Sequence, residues 1–282
     1  MKRSAAIIFL ILAVTSSGSG AVSLVKKWET DRVFKTPESV VYDAERHILY
    51  VSNICGGPDE KDGNGFISQL SMKGEIVSLK WIGGLNAPKG MGISGTRLYV
   101  ADVDELVEID VEKGKVLARH PAPGAKFLND VAVGSGGAVY ISDSAESQNA
   151  IYRFDGEKVE LWARAPSINR PNGLLVDGGN LVIGVSGHSM LKRVDIETGK
   201  ISDIVTIGSA IDGVAMDGKG NFIVSDWKGR TMLVEPSGGI YVLLDTAAAG
   251  VNSADICFLP KWKMLLIPTF SDNRVVACTL VY

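Results

Sequence analysis

Six polar residues stand at the starts of six short apolar segments, and their types and spacing could do chemistry together. The segments recur at intervals of roughly 40 residues, a period typical of propellers with one four-stranded blade per repeat. Because such a repeat gathers equivalent positions around one axis, we predict that the six side chains form a single cluster. These residues are Glu38, Lys89, Asn129, Asn172, Asp212 and Ser253.

The oxygen-bearing members of this cluster suggest a metal site. Glu38, Asn129, Asn172 and Asp212 offer carboxylate and amide oxygens, the donors that Ca²⁺ and Mg²⁺ prefer. Two carboxylates near one axis also need a counter-charge, because like charges raise each other's pKa. A divalent cation would supply that charge, and so would Lys89. The alternative is that these side chains bond strand-start backbone groups and line a water-filled channel.

The elements that must position these residues are short strands. A second apolar strand follows each of the six segments, as in ILYVSN at 48–53 and NFIVSD at 221–226, and third and fourth strands follow after turns. β-branched and aromatic residues with turns about every 8–12 residues are typical of antiparallel strands. We therefore predict an all-β fold, a six-bladed β-propeller.

The last blade lacks a fourth strand in the C-terminal sequence, where residues 274–282 form the third. The segment SLVKKWET at 23–30 has no other place in the ring. We predict that it closes the last blade and covers an edge that would otherwise pair with other chains. The alternative is an open edge beside a frayed N-terminal segment.

Antiparallel geometry places the end of each second strand beside the start of the first. The residues at these ends are therefore expected on the same face of the ring, together with the loops 54–65 and 144–149 as walls or lids. They are Asn53, Asp102, Asp143, Ser186, Asp226 and Thr269. Such Asp side chains commonly cap turns, but we expect Asp143 to reach the site because it would flank Asn129. His188 opens on this face too, either as a solvated loop residue or as a proton shuttle.

The N-terminus has the pattern of an export signal. Lys2 and Arg3 precede an apolar run at 5–14, and Ser19 and Ala21 fit a small-residue cleavage site. We predict a signal peptide at 1–21 and one propeller domain at 22–282, in a periplasmic or secreted protein. The apolar run is too short to span a bilayer, so we expect no membrane span after signal removal.

Composition and motifs exclude several function classes. The formal net charge is −3 and no basic run occurs, which argues against a nucleic-acid partner. The sequence contains no Gly-x-Ser-x-Gly elbow, phosphate loop, HExxH or CxxC motif. Because it has three His, a histidine-rich zinc site is also excluded.

Four segments resemble motifs of the regucalcin–gluconolactonase family of six-bladed propeller lactonases. They are PESVVYD at 37–43, FLNDVAVG at 127–134, RPNGLLVDGGNL at 170–181 and IDGVAMDGKGNFIVSDWKGR at 211–230. The similarity covers roughly 37–270 and is most specific in the last two motifs. In that family a Glu, an Asn and an Asp at first-strand starts hold one divalent cation, which implies Glu38, Asn172 and Asp212 here. The resemblance also implies that Asn129 contacts substrate or metal-bound water and that Asp212 is the general base.

The implied activity is metal-dependent hydrolysis of a lactone or a related small ester, with Ca²⁺ as the expected cation and Mg²⁺, Mn²⁺ or Zn²⁺ as alternatives. We expect Asn129, Asp143, Lys89 and His188 to bind this small-molecule substrate. Two residues depart from the family pattern: Phe127 stands where members often carry Arg, and Lys89 is unusual in the ring. Lys89 could hold an anionic substrate or substitute for the charge of the metal.

Two other functions are alternatives to the lactonase. One is a non-catalytic exported propeller that binds a protein or a small ligand on the same face. The other is a condensation like that of strictosidine synthase, for which the sequence lacks a suitably placed Glu. Fold alone cannot separate these functions, because propellers host many activities.

Overall fold

The propeller fold predicted from the sequence is confirmed. The structure is a computed structural model that describes residues 22–282, and the predicted signal peptide at 1–21 lies outside the described residues. The described chain forms 24 strands arranged in six four-stranded antiparallel sheets. Each sheet is one blade of a six-bladed β-propeller, and five of the six are built from consecutive strands.

The first three blades run from the innermost strand outwards. Blade 1 contains β2 (Pro37–Asp43), β3 (Ile48–Asn53), β4 (Gly65–Ser71) and β5 (Ile76–Leu85). Blade 2 contains β6 (Pro88–Ser94), β7 (Arg97–Asp102), β8 (Glu105–Asp110) and β9 (Lys115–Pro121). Blade 3 contains β10 (Leu128–Val133), β11 (Val139–Asp143), β12 (Ala150–Phe154) and β13 (Val159–Arg164).

The last three blades complete the ring. Blade 4 contains β14 (Pro171–Asp177), β15 (Asn180–Val185), β16 (Met190–Asp195) and β17 (Ile201–Thr206). Blade 5 contains β18 (Ile211–Met216), β19 (Phe222–Asp226), β20 (Arg230–Val234) and β21 (Ile240–Asp245). Blade 6 contains β22 (Cys257–Leu259), β23 (Met264–Pro268), β24 (Val275–Val281) and β1 (Ser23–Glu29).

Helical structure within residues 22–282 is limited to 3₁₀ turns of three residues each. They are Pro166–Ile168, Ala247–Ala249, Pro260–Trp262 and Phe270–Asp272. None of the helical turns in this part of the chain is long and apolar enough to cross a membrane.

The N-terminal strand closes the ring, as the sequence predicted. β1 pairs antiparallel with β24, with Ser23 opposite Val281 and Leu24 opposite Leu280. Leu24 and Leu280 are both buried in one apolar cluster with Leu243 of the neighbouring blade. Burying such a side chain contributes roughly 1.5–3 kcal/mol, so the closing strand adds core as well as hydrogen bonds.

The hydrophobic core lies between the blades. Six apolar clusters each combine side chains of two neighbouring blades, so every blade packs on both sides. Near the axis the first strands approach one another closely. A Cβ on Gly173 would lie 2.3 Å from the Asp212 carbonyl oxygen, and one on Gly213 would lie 2.5 Å from the Ile256 nitrogen. This contact explains why Gly follows Asn172 and Asp212 in the sequence.

Blade 6 differs from the predicted register. Gly90 packs on the Cα of Asp130, and Gly213 packs in the same way on the Cα of Asp255. Asp255 is therefore the structural equivalent of Asp130, and the ring position before it is occupied by Ala254. The prediction that Ser253 joins the ring is wrong: its buried hydroxyl pairs with Thr231 Oγ1 at 3.0 Å, because the irregular entry to the short strand β22 shifts the register by one residue.

Candidate functional site

The ring residues meet in a cavity at one end of the propeller axis. The cavity has a volume of about 350 Å³ and includes five of the six residues predicted from the sequence: Glu38, Lys89, Asn129, Asn172 and Asp212. Its upper walls come from the loops and turns that leave the strands on this face. They include Ile54, Pro58, Phe127, Ser144, Trp227 and Phe270. The loops that begin at Ile54 and Ser144 therefore form walls, as the sequence indicated.

Three buried oxygens in this cavity have no hydrogen-bond partner within the described residues. They are Glu38 Oε2, Asn129 Oδ1 and Asn172 Oδ1. A buried polar atom without a partner is costly, so its repeated occurrence at ring positions calls for an explanation. The Asn172 side chain is oriented by its amide nitrogen, which donates to Asp212 Oδ1 at 3.0 Å.

The two carboxyl groups of the ring have raised pKa values. Burial raises the pKa of Glu38 well above its usual range, and the charges of Asp212 and Asp255 raise it further. Burial raises the pKa of Asp212 to about 7, with a further contribution from the charge of Asp130. The hydrogen bond from Asn172 opposes this shift. Each of these carboxyl groups therefore needs either a bound proton or a nearby cation to balance its negative charge.

Two more buried carboxyl groups belong to residues that directly follow a ring position. The sequence did not indicate their role. Asp130 Oδ2 accepts the Leu174 amide of the next blade at 2.6 Å, and Asp255 Oδ2 accepts the Ser39 hydroxyl at 2.7 Å. Burial raises the pKa of Asp130 to about 6 and that of Asp255 well above its usual range. The Asn-Asp pair at 129–130 could have suggested the first, whereas the shifted register of blade 6 hid the second.

Lys89 is the buried cation of the ring. Its side chain is 1% exposed, and Nζ donates to the Ala87 carbonyl at 3.0 Å. Nζ also lies 4.5 Å from the centroid of the Phe127 ring, a distance suited to a cation–π contact. Burial lowers the pKa of Lys89 to about 8, although the charge of Glu38 opposes the shift.

Two predicted substrate-binding residues do not reach the cavity. Asp143 is fully buried, and its carboxylate accepts the backbone N–H groups of Lys126, Phe127 and Ala145. It therefore anchors the loop before β10 instead of flanking Asn129 in the site. His188 lies in the exposed turn after β15 and is not part of the cavity lining. Antiparallel geometry correctly predicted the end of the blade at which these residues lie, but it did not predict the direction in which their side chains point.

Most residues that end the second strands have the same structural role as Asp143. Asp102 accepts the backbone N–H groups of Asn86 and Ala87, and Asp226 accepts that of Lys228. Asn53 Oδ1 accepts the Lys35 amide at 3.0 Å. The turn-capping alternative therefore holds for these side chains. Ser186 does line the cavity, with its hydroxyl donating to the Ile211 carbonyl.

The residues present fit a hard divalent cation. No three His, Cys, Asp or Glu side chains within 22–282 come together as a metal-binding group, so such a site would need other oxygen donors beside its carboxylates. Glu38, Asn129, Asn172 and Asp212 supply such a set of oxygen donors, and three of their oxygens are the unpartnered atoms described above. Oxygen donors without soft ligands suit Ca²⁺ or Mg²⁺.

Comparison with solved structures finds other proteins of similar fold. A catalytically inactive virginiamycin B lyase from Staphylococcus aureus with quinupristin aligns with 92% of this chain and 99% of its own, at 13% identity and a TM-score of 0.64. The fold is a β-propeller. A streptogramin B lyase aligns over 92% of this chain and 97% of its own, at 12% identity and a TM-score of 0.65. The WD40 β-propeller domain of Doa1 aligns over 85% and 77%, at 15% identity and a TM-score of 0.63.

At these identities the likeness shows the fold alone. No family profile matches the sequence, and no curated protein matches it. Two of these propeller neighbours are lyases, and that activity is a property of those proteins. What the cavity does must therefore be argued from its own residues.

Proposed function

We propose that this propeller is a metal-dependent hydrolase of lactones or related small esters. The observation that carries the proposal is the set of three unpartnered oxygens on Glu38, Asn129 and Asn172 beside Asp212, all in one cavity. Glu38, Asn172 and Asp212 would hold the cation. When bound, a divalent cation supplies charge balance and polarisation of a carbonyl oxygen. Ca²⁺ is the first candidate, with Mg²⁺, Mn²⁺ and Zn²⁺ as alternatives.

Asp212 is the proposed general base. Burial raises its pKa to about 7 in the cation-free protein, and the charge of a bound cation would lower it, which would leave Asp212 ionised and able to accept a proton near neutral pH. In lactone hydrolysis, water adds to the carbonyl carbon while Asp212 accepts a proton from that water. The ring carbon–oxygen bond then breaks, and the proton passes to the departing alkoxide, which leaves a hydroxy acid. Asn129 would position the substrate beside Asp212 in this scheme.

The apolar walls of the cavity support a small substrate. Phe127, Trp227 and Phe270 provide apolar surface, with Trp227 and Phe270 in edge-to-face contact at 5.5 Å between ring centroids. A cavity of about 350 Å³ is in the range of small-molecule sites.

Export to the periplasm or the exterior is also proposed, and it rests on the sequence of residues 1–21.

The test is a cation titration that follows stability and turnover together. Ca²⁺, Mg²⁺, Mn²⁺ and Zn²⁺ are added to chelator-treated protein, and melting temperature and hydrolysis of a lactone panel are recorded. Glu38→Gln is the site variant, and Glu197→Gln, at an exposed position, is the matched control. Stabilisation that tracks turnover, with both lost only in Glu38→Gln, supports the proposal.

Two results would overturn parts of it. Stabilisation by a cation with no turnover of any lactone favours the alternative, a propeller that binds a protein or a small ligand on this face. No response to any cation would make the ring a polar channel in which Lys89 supplies the counter-charge to Glu38.

A further inference from the structure

Lys89 is a buried cation that has no anionic partner among residues 22–282. Its contacts within the described residues are the Ala87 carbonyl and the face of Phe127, and no carboxylate oxygen lies within 4.0 Å of Nζ. Glu38 is near enough to raise its pKa, but the two side chains form no ion pair. Buried charges in proteins are normally paired, so an ammonium facing a cavity is a position for an anion.

A second cation without an ion pair stands at the mouth of the same cavity. Arg170 lines the cavity, is exposed, and makes no salt bridge to any described residue. Its backbone has a φ of 51°, in the left-handed region that is unfavourable for Arg. Backbone hydrogen bonds hold that conformation, since the Ser186 amide donates to the Arg170 carbonyl at 3.1 Å. The backbone of Arg170 is thus held at the rim of the cavity.

The surroundings of Lys89 restrict the charge of its partner. The cavity also contains Glu38 and Asp212, which repel added negative charge. One ammonium can balance one negative charge, whereas a phosphate monoester would bring nearly two. Phe127 lies directly beside Nζ on the apolar side of the cavity. This surface suits a compact apolar group attached to the charged group of the ligand.

We propose that the substrate of this cavity is a lactone that carries a carboxylate, with that carboxylate bound to Lys89 and drawn in past Arg170. The proposal rests on the proposed function only in that it names a lactone. The anion site itself depends on Lys89 and Arg170. Two other roles for Lys89 are outcomes of the test: a nucleophile that forms an imine, and a fixed counter-charge to Glu38.

The experiment uses a matched pair of probes. One is γ-butyrolactone with a carboxylate on the ring carbon next to the ring oxygen, and the other is the corresponding carboxamide. Hydrolysis of both is measured with Ca²⁺ present, and binding of tetrahydrofuran-carboxylate and its carboxamide, which have no lactone to hydrolyse, is measured by calorimetry. The proteins are wild type, Lys89→Met, Arg170→Gln and the exposed control Lys200→Met.

We expect wild type and Lys200→Met to prefer the carboxylate by roughly 10- to 100-fold, the value of a charged hydrogen bond. Lys89→Met should abolish that preference, so that the carboxylate and the carboxamide are bound and hydrolysed alike. Arg170→Gln should reduce the preference in part and make it less sensitive to salt, because steering by an exposed charge is screened. Arg170 is exposed, so this variant tests the site even if Lys89→Met fails to fold.

The outcomes separate the two proposals. Equal hydrolysis of both lactones upholds the lactonase and overturns the carboxylate site. Selective binding of the carboxylate without hydrolysis upholds the site and overturns the lactonase. Borohydride trapping of a carbonyl compound on wild type but not on Lys89→Met identifies an imine-forming lysine and overturns the carboxylate site. A carboxylate preference that persists in both variants also overturns it.

Discussion

Asn172 and Asp212, which occupy equivalent positions on neighbouring blades, are joined by a hydrogen bond of 3.0 Å from the amide nitrogen to Oδ1. The bond fixes which end of the Asn172 amide faces its neighbour and leaves Oδ1 of Asn172 without a partner. It also lowers the pKa of Asp212, although burial keeps the net shift upward. One contact therefore orients a candidate metal ligand and adjusts the proposed base.

Replacing Asp212 by Asn should remove the proposed base and one cation ligand. We expect the rate of lactone hydrolysis to fall by roughly 10²–10⁴-fold, the usual contribution of general base catalysis. The fold should persist, which circular dichroism and the melting temperature will show. Asp31→Asn, at an exposed position, is the control and should keep full activity. Unchanged turnover in Asp212→Asn would remove Asp212 from the mechanism.

The chelator-treated protein should become more stable as the pH falls from about 8 to about 5. Burial raises the pKa of Asp212 to about 7 and of Asp130 to about 6, above the ordinary Asp value of about 3.9. In this interval the folded state binds more protons than the unfolded state, so protonation stabilises the fold. Burial lowers the pKa of Lys89 to about 8, so this group is charged in both the folded and the unfolded state at lower pH. It therefore destabilises the fold by a constant amount below pH 8 and adds no slope to this pH dependence.

Saturating Ca²⁺ should remove or reverse this pH dependence, because the cation and protons compete for the same carboxylates. The measurement is the melting temperature across the pH series with chelator and with Ca²⁺. In Asp212→Asn the slope of the chelated protein should be smaller. A melting temperature of the chelated wild type that falls steadily with acidification would contradict the raised pKa values.

Gly173→Ala should destabilise the ring, because the added Cβ would lie 2.3 Å from the Asp212 carbonyl oxygen. Overpacking of this kind typically costs about 1–3 kcal/mol. Gly179→Ala is a close control in the same blade, since no atom lies within 4 Å of the added carbon. Chemical denaturation of the two variants compares them directly, and equal stabilities would show that the first strands can move apart.

Removal of residues 22–31 should destabilise the whole ring rather than blade 6 alone. A milder test is Leu24→Ala, which we expect to cost about 2–5 kcal/mol because Leu24 is 3% exposed. Its neighbour Val25 is 52% exposed, so Val25→Ala should have little effect. Denaturation followed by tryptophan fluorescence and by far-ultraviolet circular dichroism should give coincident transitions in the wild type. If truncation removed only a separate, local unfolding transition, the closing strand would instead unfold independently of the ring.

The sequence predicted those parts of the site that follow from the blade repeat. Glu38, Lys89, Asn129, Asn172 and Asp212 were located because each begins an apolar strand, and symmetry brings such positions together. Ser253 was misplaced because blade 6 has a three-residue inner strand with an irregular entry. The period of the repeat cannot resolve a shift of one residue.

Side-chain direction was the second limit. Asp143 was expected in the site because its strand ends beside Asn129, but its carboxylate turns back to the Lys126 and Phe127 amides. That choice depends on unsatisfied backbone groups of a loop, which strand periodicity does not describe. Trp227 shows the same limit, since strand periodicity does not indicate that its side chain lies 47% exposed in the cavity wall.

The pairing of β1 with β24 also fixes where attached segments leave the molecule. Val281 lies opposite Ser23 at the end of the blade away from the cavity, and the hydroxyl of Tyr282 reaches Asp217 at the turn after β18 on that same side. Both ends of the described chain therefore emerge side by side, behind the site. A tether, tag or surface linkage at either end would present the open cavity to the surroundings.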